Sequence, residues 1–130
     1  MNGEQARSYF LSLPEAIEDF PFSPETPVFK IKTKMFGFLR YKEGVGHINL
    51  KCNPEEAMVM RDIFESVIPG YHMNKEHWNT VILDGTVPRE EIESMIETSY
   101  ALVVQNLTKA VRLRLEIRHG KSQIFVTEYL

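Results

Sequence analysis

Three consecutive segments with the side-chain pattern of β-strands limit the folds open to this chain. Residues 28–34 and 47–52 alternate apolar and polar side chains, and residues 35–41 between them are rich in aromatic side chains. A period of two residues places the apolar side chains on one face of a sheet and the polar ones on the other. The segments therefore predict an antiparallel meander with one packed face and one wet, polar face.

Helical patterns flank this meander. Residues 3–13 carry apolar side chains at helical spacing and end at Pro14, and the proline-containing residues 15–27 are expected to be an extended surface connection. Asn53 and Pro54 form a capping residue and a first-turn proline, which predict the start of a second helix. The predicted elements after the meander are a helix, two short strands and a long helix, at residues 54–64, 66–68, 79–83 and from 88 onward.

A second alternating pattern follows the long helix. Its apolar members are Val111, Leu113, Leu115 and Ile117, which alternate with charged residues. This alternation predicts a C-terminal β-hairpin, in preference to a continuation of the helix. The apolar face of the hairpin would pack on the same sheet or on a second subunit. We therefore divide the chain into a domain of residues 1–110 and a C-terminal extension of residues 111–130.

Charge and cysteine content narrow the class of protein. The chain of 130 residues fits one domain, and its net charge of −3 counts against a general nucleic-acid binder. The charge is uneven, because residues 28–51 and 109–121 are basic. The single Cys52 excludes an internal disulfide. With no apolar N-terminal segment and no run of membrane-spanning length, a cytoplasmic protein is expected.

Residues 69–81 gather the only Trp and two of the four His between a Pro-Gly turn and a predicted strand. The candidate ligand-binding side chains of this loop are Tyr71, His72, Asn74, Lys75, His77, Trp78 and Asn79. Trp78 could stack on a base or anchor the core, and a lone Trp favours the core. His72, Asn74 and Lys75 are the better candidates for an exposed binding edge.

A catalytic or metal site is not predicted. His72 and His77 lack the second paired motif of a zinc site, even when Cys52 or Glu76 is added. Cys52 continues the apolar face of a strand, where a thiol is usually inert. No nucleophile, base and orienting group can be named together. The sequence therefore predicts a protein that is not an enzyme and uses no cofactor.

Four stretches of the chain resemble the MmcQ/YjbR-like family of small bacterial proteins, and the resemblance extends over residues 1–112. These stretches are residues 29–30 followed by 34–36, residues 49–55, residues 69–81 and residues 99–104. The resemblance implies an α+β fold, a two-layer α/β sandwich in the order α-β-β-β-α-β-β-α with one antiparallel sheet packed by helices. Such a fold is like that of the secretion chaperones and broadly CyaY-like. Periodicity alone predicts the same order of elements, followed by the C-terminal hairpin.

Two functions from different classes follow. The family is commonly labelled DNA-binding, and here a basic sheet face would contact phosphates together with the loop of residues 72–78. The candidate nucleic-acid-binding residues are Lys30, Lys32, Lys34, Arg40, Lys51 and Lys75. The alternative is a protein-interaction or chaperone-like module that binds a partner peptide or subunit. No membrane partner is expected, and the C-terminal extension would decide between a monomer and a homodimer.

Overall fold

A six-stranded antiparallel sheet forms the frame of this computed structural model, which describes residues 1–70 and 73–125. The strands are β1 (Ala16–Asp19), β2 (Val28–Ile31), β3 (Lys34–Lys42), β4 (Val45–Lys51), β5 (Val67–Pro69) and β6 (Trp78–Ile82). They lie in the order β1-β2-β3-β4-β6-β5, so β1 and β5 form the two edges. The helices of the described residues are α1 (Gly3–Ser12), α2 (Pro54–Ile63), α3 (Arg89–Gln105), α4 (Lys109–His119) and α5 (Lys121–Ile124).

The predicted α+β class and the central meander are confirmed. β2, β3 and β4 pair as successive antiparallel neighbours, and helices pack against the sheet. Asn53 caps α2 as predicted, because its side-chain oxygen accepts a hydrogen bond from the N–H of Glu55 at 3.1 Å. The structure also contains a strand that was not predicted, and it lies ahead of the meander in the chain. No helix in the described part of the chain has the length and apolar composition that crossing a membrane would need.

The additional strand β1 lies within the segment that was predicted to be a surface connection. It pairs with β2 in antiparallel register, with Ile17 opposite Lys30 and Asp19 opposite Val28. Glu15, with a left-handed φ of 58°, lies directly before it. The prolines that suggested a connection all follow β1, so the pattern describes only the second half of residues 15–27.

The first predicted strand of the meander ends early. Lys32 has a left-handed φ of 60°, β2 stops at Ile31 and β3 begins at Lys34. The strict alternation of residues 28–34 is therefore divided between two strands that run in opposite directions. As a result, Lys34 does not continue the row of side chains that Lys30 begins.

Helices cover one face of the sheet. On that face Leu39, Ile48 and Val81 lie opposite one another across β3, β4 and β6, and each is at most 1 % exposed. Phe10 of α1 stacks on Phe29 of β2, with ring centroids 4.1 Å apart. Burial of these large apolar side chains is the main favourable contribution to folding.

A bulge in β3 joins α3 to the sheet. The β2–β3 register shifts at this point and passes over Phe36. The Ser99 hydroxyl of α3 donates to the Phe36 carbonyl at 2.5 Å and accepts the N–H of Lys51 at 2.9 Å. The next residue, Tyr100, meets the Phe36 ring edge to face at 5.3 Å. A single buried hydroxyl therefore satisfies backbone groups on two strands.

The predicted C-terminal β-hairpin is wrong, because its first strand is the helix α4 and its turn leads into α5. Thr108 caps α4 by accepting the N–H of Val111 at 3.4 Å. Of the alternating apolar side chains only Leu115 is buried, and it joins the same core as Phe10. The alternation misled because Val111 and Leu115 are also helical i, i+4 neighbours, and leucine, arginine and glutamate favour helices.

Glu15 fastens α4 to the sheet. Its carboxylate accepts hydrogen bonds from Arg118 at 2.9 Å and from Lys32 at 2.7 Å, and it lies 2.8 Å from Nε2 of His119. The Lys32 and His119 hydrogen bonds are the main causes that lower the pKa of Glu15 to about 2. The left-handed backbone at Glu15 and Lys32 thus coincides with the docking point of the C-terminal helices.

Replacing Ser99 with alanine tests the joint between α3 and the sheet. We expect Ser99→Ala to lower the free energy of unfolding by about 2–3 kcal/mol, because two buried backbone groups lose their partner. Ser94→Ala, a half-buried position on the same helix, is the matched control and should change it by less than about 0.5 kcal/mol. Urea denaturation followed by circular dichroism measures both, and equal losses would contradict the anchoring role.

Candidate functional site

A groove of about 570 Å³ separates α2 from α3 above strands β4 and β6. The described residues that line it come from both helices and from the ends of the two strands. They are Leu50, Lys51, Cys52, Asn53, Glu55, Glu56, Val59, Met60, Asn79, Val81, Glu91, Ser94, Met95, Thr98, Ala101, Leu102 and Gln105. A volume of this size is in the range of small-molecule and peptide-anchor sites.

The α3 wall arises from a second apolar stripe on that helix. Ile92 and Ile96 point into the core and are at most 1 % exposed. Met95, Thr98 and Leu102 follow one another at spacings of three and four residues, are half-buried, and face the groove. The helix therefore uses one side for the core and leaves an adjacent side partly open.

A buried polar network holds the α2 wall in place. Asn79 of β6 donates to the carbonyl of Ala57 at 3.2 Å and accepts a hydrogen bond from Nε of Arg61 at 2.8 Å. Arg61 also donates to the backbone carbonyl of Lys75. One arginine thus joins the helix, the strand and the preceding loop, and its hydrogen bonds to a buried amide stabilise their spacing.

The rim of the groove is acidic and α2 is apolar beside it. Glu55 and Glu56 lie in the first turn of α2 and Glu91 lies in the first turn of α3. Lys51 is the one cationic residue among the described lining residues, and by the register of β4 and β6 its side chain belongs to the opposite face of the sheet. Beside these carboxylates α2 carries exposed apolar side chains, namely Met58, Val59 and Ile63, and of these Val59 lines the groove. Together these features suit an apolar ligand with positive charge.

Cys52 lies in the groove wall as a neutral thiol. Desolvation by burial is the largest cause that raises its pKa to about 11, against a smaller opposing effect of Arg61. A thiol with such a pKa is almost wholly protonated at neutral pH and is a poor nucleophile. Its backbone N–H donates to the carbonyl of His77 at 2.8 Å, which ties the strand end to the loop.

In the loop of residues 69–81, the side chains of Asn74 and Trp78 form contacts within the loop itself. Asn74 accepts the N–H of Glu76 at 2.9 Å in a turn. Trp78 is 9 % exposed and packs so closely on Gly70 that a Cβ at that position would lie 2.7 Å from the Trp78 Cβ. Lys75 is exposed and His77 is half-buried. The predicted positions Tyr71 and His72 lie outside the described residues.

The predicted basic residues do not form one row. Lys30 pairs with Asp19 at 2.7 Å, and Lys32 pairs with Glu15 at the same distance. Lys34 is exposed at the start of β3. Arg40 and Lys51 are half-buried on the face of the sheet that no helix of residues 1–70 and 73–125 covers, called the helix-free face below. Lys30 and Lys32, two of the six residues predicted to contact phosphate, are therefore already paired with carboxylates in or directly before β1.

The helix-free face is less exposed to solvent than the alternating pattern of residues 28–34 and 47–52 predicts. Asn49 is fully buried there and accepts a 2.6 Å hydrogen bond from the Thr80 hydroxyl. The Nδ2 of Asn49 has no hydrogen-bond partner among the described residues. Phe38 beside them is 6 % exposed, and the ring of Phe22 meets it edge to face at 6.0 Å. The connection after β1 therefore folds over part of this face.

Metal ligands do not gather in the described residues. Within residues 1–70 and 73–125, no three His, Cys, Asp or Glu side chains approach closely enough to hold an ion.

The groove itself was missed by the sequence analysis. The apolar residues of α3 cover an arc wider than one helix face, and that width was the signal available in the sequence for a second, half-open side. The role of Arg61 could not be predicted, because an arginine in the last turn of a helix is ordinarily a solvated residue.

Comparison with known sequences finds a family model and several bacterial proteins that are similar to this chain. A family model described as YjbR matches residues 11–102. The uncharacterized protein YbdF of Escherichia coli O157:H7 is 39% identical over 106 residues, which cover 82% of this chain and 87% of that protein. The uncharacterized protein YjbR of Escherichia coli K12 is 34% identical over 83 residues, 64% of this chain and 70% of that protein.

Solved structures share the fold. The crystal structure of Deinococcus radiodurans protein DR2400, with a DUF419 domain, has a TM-score of 0.80 and 40% identity, and the match covers 86% of each chain. A crystal structure of a Pseudomonas syringae protein has a TM-score of 0.70 and 33% identity, over 78% of this chain and 98% of that one. The similarity extends to the strands and helices that form the groove, since α2 and nearly all of α3 lie within the span of the family model.

Alkylation of Cys52 by iodoacetamide tests the chemistry of the groove wall. Because only the thiolate reacts, the rate in the folded protein should still rise between pH 9 and pH 10.5, towards a midpoint near the pKa of about 11. In denaturing urea the same cysteine should level off above the ordinary thiol pKa of about 8.5. Identical pH profiles in the two states would contradict a desolvated thiol.

Proposed function

We propose that this chain, which belongs to the YjbR family, is a protein-binding module whose groove between α2 and α3 takes an apolar, positively charged segment of a partner. The observation that carries the proposal is the combination of an apolar groove of about 570 Å³ with an acidic rim. Apolar contact would supply most of the affinity, and the rim carboxylates would select the charge of the ligand.

The shape of the groove favours a helical segment. Two helices with a sheet floor between them can receive the apolar face of a third helix, which is a common mode of peptide recognition. Met60 and Met95 line opposite walls, and flexible methionine side chains adapt to different apolar ligands. Val59, at 50 % exposure, would be removed from water on binding at the α2 rim.

The proposal describes a binding protein rather than an enzyme. The neutral thiol of Cys52 supports this, as does the use of the Asn79 amide in holding α2. The bacterial relatives and a single unpaired cysteine support a place in the bacterial cytoplasm.

Titration with synthetic helical peptides tests the groove. We expect an amphipathic leucine–lysine peptide to bind and a matched leucine–glutamate peptide to fail, because the rim repels the second. Val59→Lys should raise the Kd for the first peptide about tenfold, measured by isothermal titration calorimetry, because it removes an apolar contact and repels the peptide's lysines. Ile68→Lys, an exposed aliphatic position on edge strand β5, is the matched control and should leave the Kd unchanged. Equal binding of both peptides would contradict the proposal.

Nucleic-acid binding is a second candidate function. The observation that favours it is that Lys30, Arg40 and Lys51 share the helix-free face of the sheet. Phosphate contacts from this face would position a strand without specifying its sequence. The ion pair between Lys30 and Asp19 limits such contacts, since the lysine would have to exchange one anion for another.

Fluorescence anisotropy with labelled DNA tests this second candidate. Affinity should fall steeply with salt, and Lys51→Ala should weaken it by removing a phosphate contact. Asp19→Asn should strengthen it, because it releases Lys30 from its carboxylate partner. Lys121→Ala on α5 is the matched control. Absence of any salt-sensitive binding, or no response to Asp19→Asn, would remove this candidate.

A further inference from the structure

The outward side of α4 is an exposed apolar stripe between cations. Ile117 is 85 % exposed and Leu113 is 40 % exposed, although both are large aliphatic side chains. Ala110, one turn before Leu113, is exposed as well. Lys109 and Arg114 are exposed on the two sides of this stripe, by the 100° advance per residue of an α-helix.

The stripe is opposite the side that holds α4 on the domain. Leu115 lies in the core at 1 % exposure, and Arg118 and His119 contact Glu15. Neither set of contacts uses Leu113 or Ile117. The helix can therefore keep its place in the fold while a partner covers its outer face.

The outer face of α4 complements the groove in both apolar character and charge. One surface is an apolar helix with basic flanks, and the other is an apolar groove whose rim carries the carboxylates of Glu55, Glu56 and Glu91. The chain cannot satisfy this match within itself, because Glu15 holds α4 at the β1 edge, whereas the groove lies above β4 and β6. A second molecule has no such restriction.

We propose that the segment received by the groove is α4 of a second copy of this chain. This inference rests on the proposed protein-binding function and names its partner. The stripe of Ala110, Leu113 and Ile117 would lie between Val59 of α2 and Met95 of α3. Lys109 and Arg114 would approach the rim carboxylates Glu55, Glu56 and Glu91.

The predicted contact is small and therefore reversible. A single helix in a groove buries less surface than a standard stable interface, so association should depend on concentration. The charge pairs lie at the rim, where they affect the rate of encounter and the salt dependence more than the affinity. We expect self-association that grows with protein concentration and weakens severalfold as salt is raised.

Sedimentation velocity of the full chain and two exposed-site variants tests this inference. Val59→Lys disables the groove and keeps α4, whereas Ile117→Asp disables α4 and keeps the groove. We expect the natural chain to associate, each variant alone to remain monomeric, and the mixture of the two variants to form a one-to-one complex. Circular dichroism checks that both variants fold, which their exposed positions favour.

The outcomes separate this inference from the function on which it rests. A natural chain that stays monomeric at high concentration and low salt overturns the second-copy proposal, and binding of the leucine–lysine peptide would then still support the groove. Association that survives in either variant, or a mixture that forms no complex, also overturns it. So does binding of α4 to anionic lipid vesicles, lost in Ile117→Asp, without self-association.

Discussion

Two buried polar anchors set the spacing of the helix layer, and the groove depends on that spacing. The Ser99 hydroxyl holds α3 against the bulge of β3 and the end of β4. The Asn79 amide holds α2 against β6, with Arg61 as its second partner. Buried polar groups need partners of fixed geometry, whereas apolar contacts tolerate sliding. The two helices therefore remain apart, and the strip of sheet between them stays uncovered.

Much of the sheet could be predicted because its signals are local. Alternation identified the central strands, and Asn53 with Pro54 identified the start of α2, since capping depends on neighbouring residues only. The edge strand β1 could not be found this way, because its identity depends on pairing with β2. The sequence of residues 109–119 fits both the two-residue period of a strand and the 3.6-residue period of a helix. The helix forms because it buries Leu115 against a distant core.

The candidate site was less predictable than the fold. The loop of residues 69–81 drew attention through its rare residue types, yet Asn74 and Trp78 serve its own turns and packing. The groove is built from common residues that come together only in the folded chain. The partners of Lys30 and Lys32 come from the β1 segment, so the basic face expected from the sequence is partly neutralised by tertiary contacts.

We propose that the groove between α2 and α3 is the binding surface of this fold. Amide chemical shifts of the nitrogen-15-labelled chain, followed during titration with an amphipathic basic peptide, test it most directly. We predict saturable shifts along the groove-facing residues of both helices, centred on Val59, Met95 and Leu102. Shifts confined to the helix-free face around Lys30 and Arg40 would contradict this proposal.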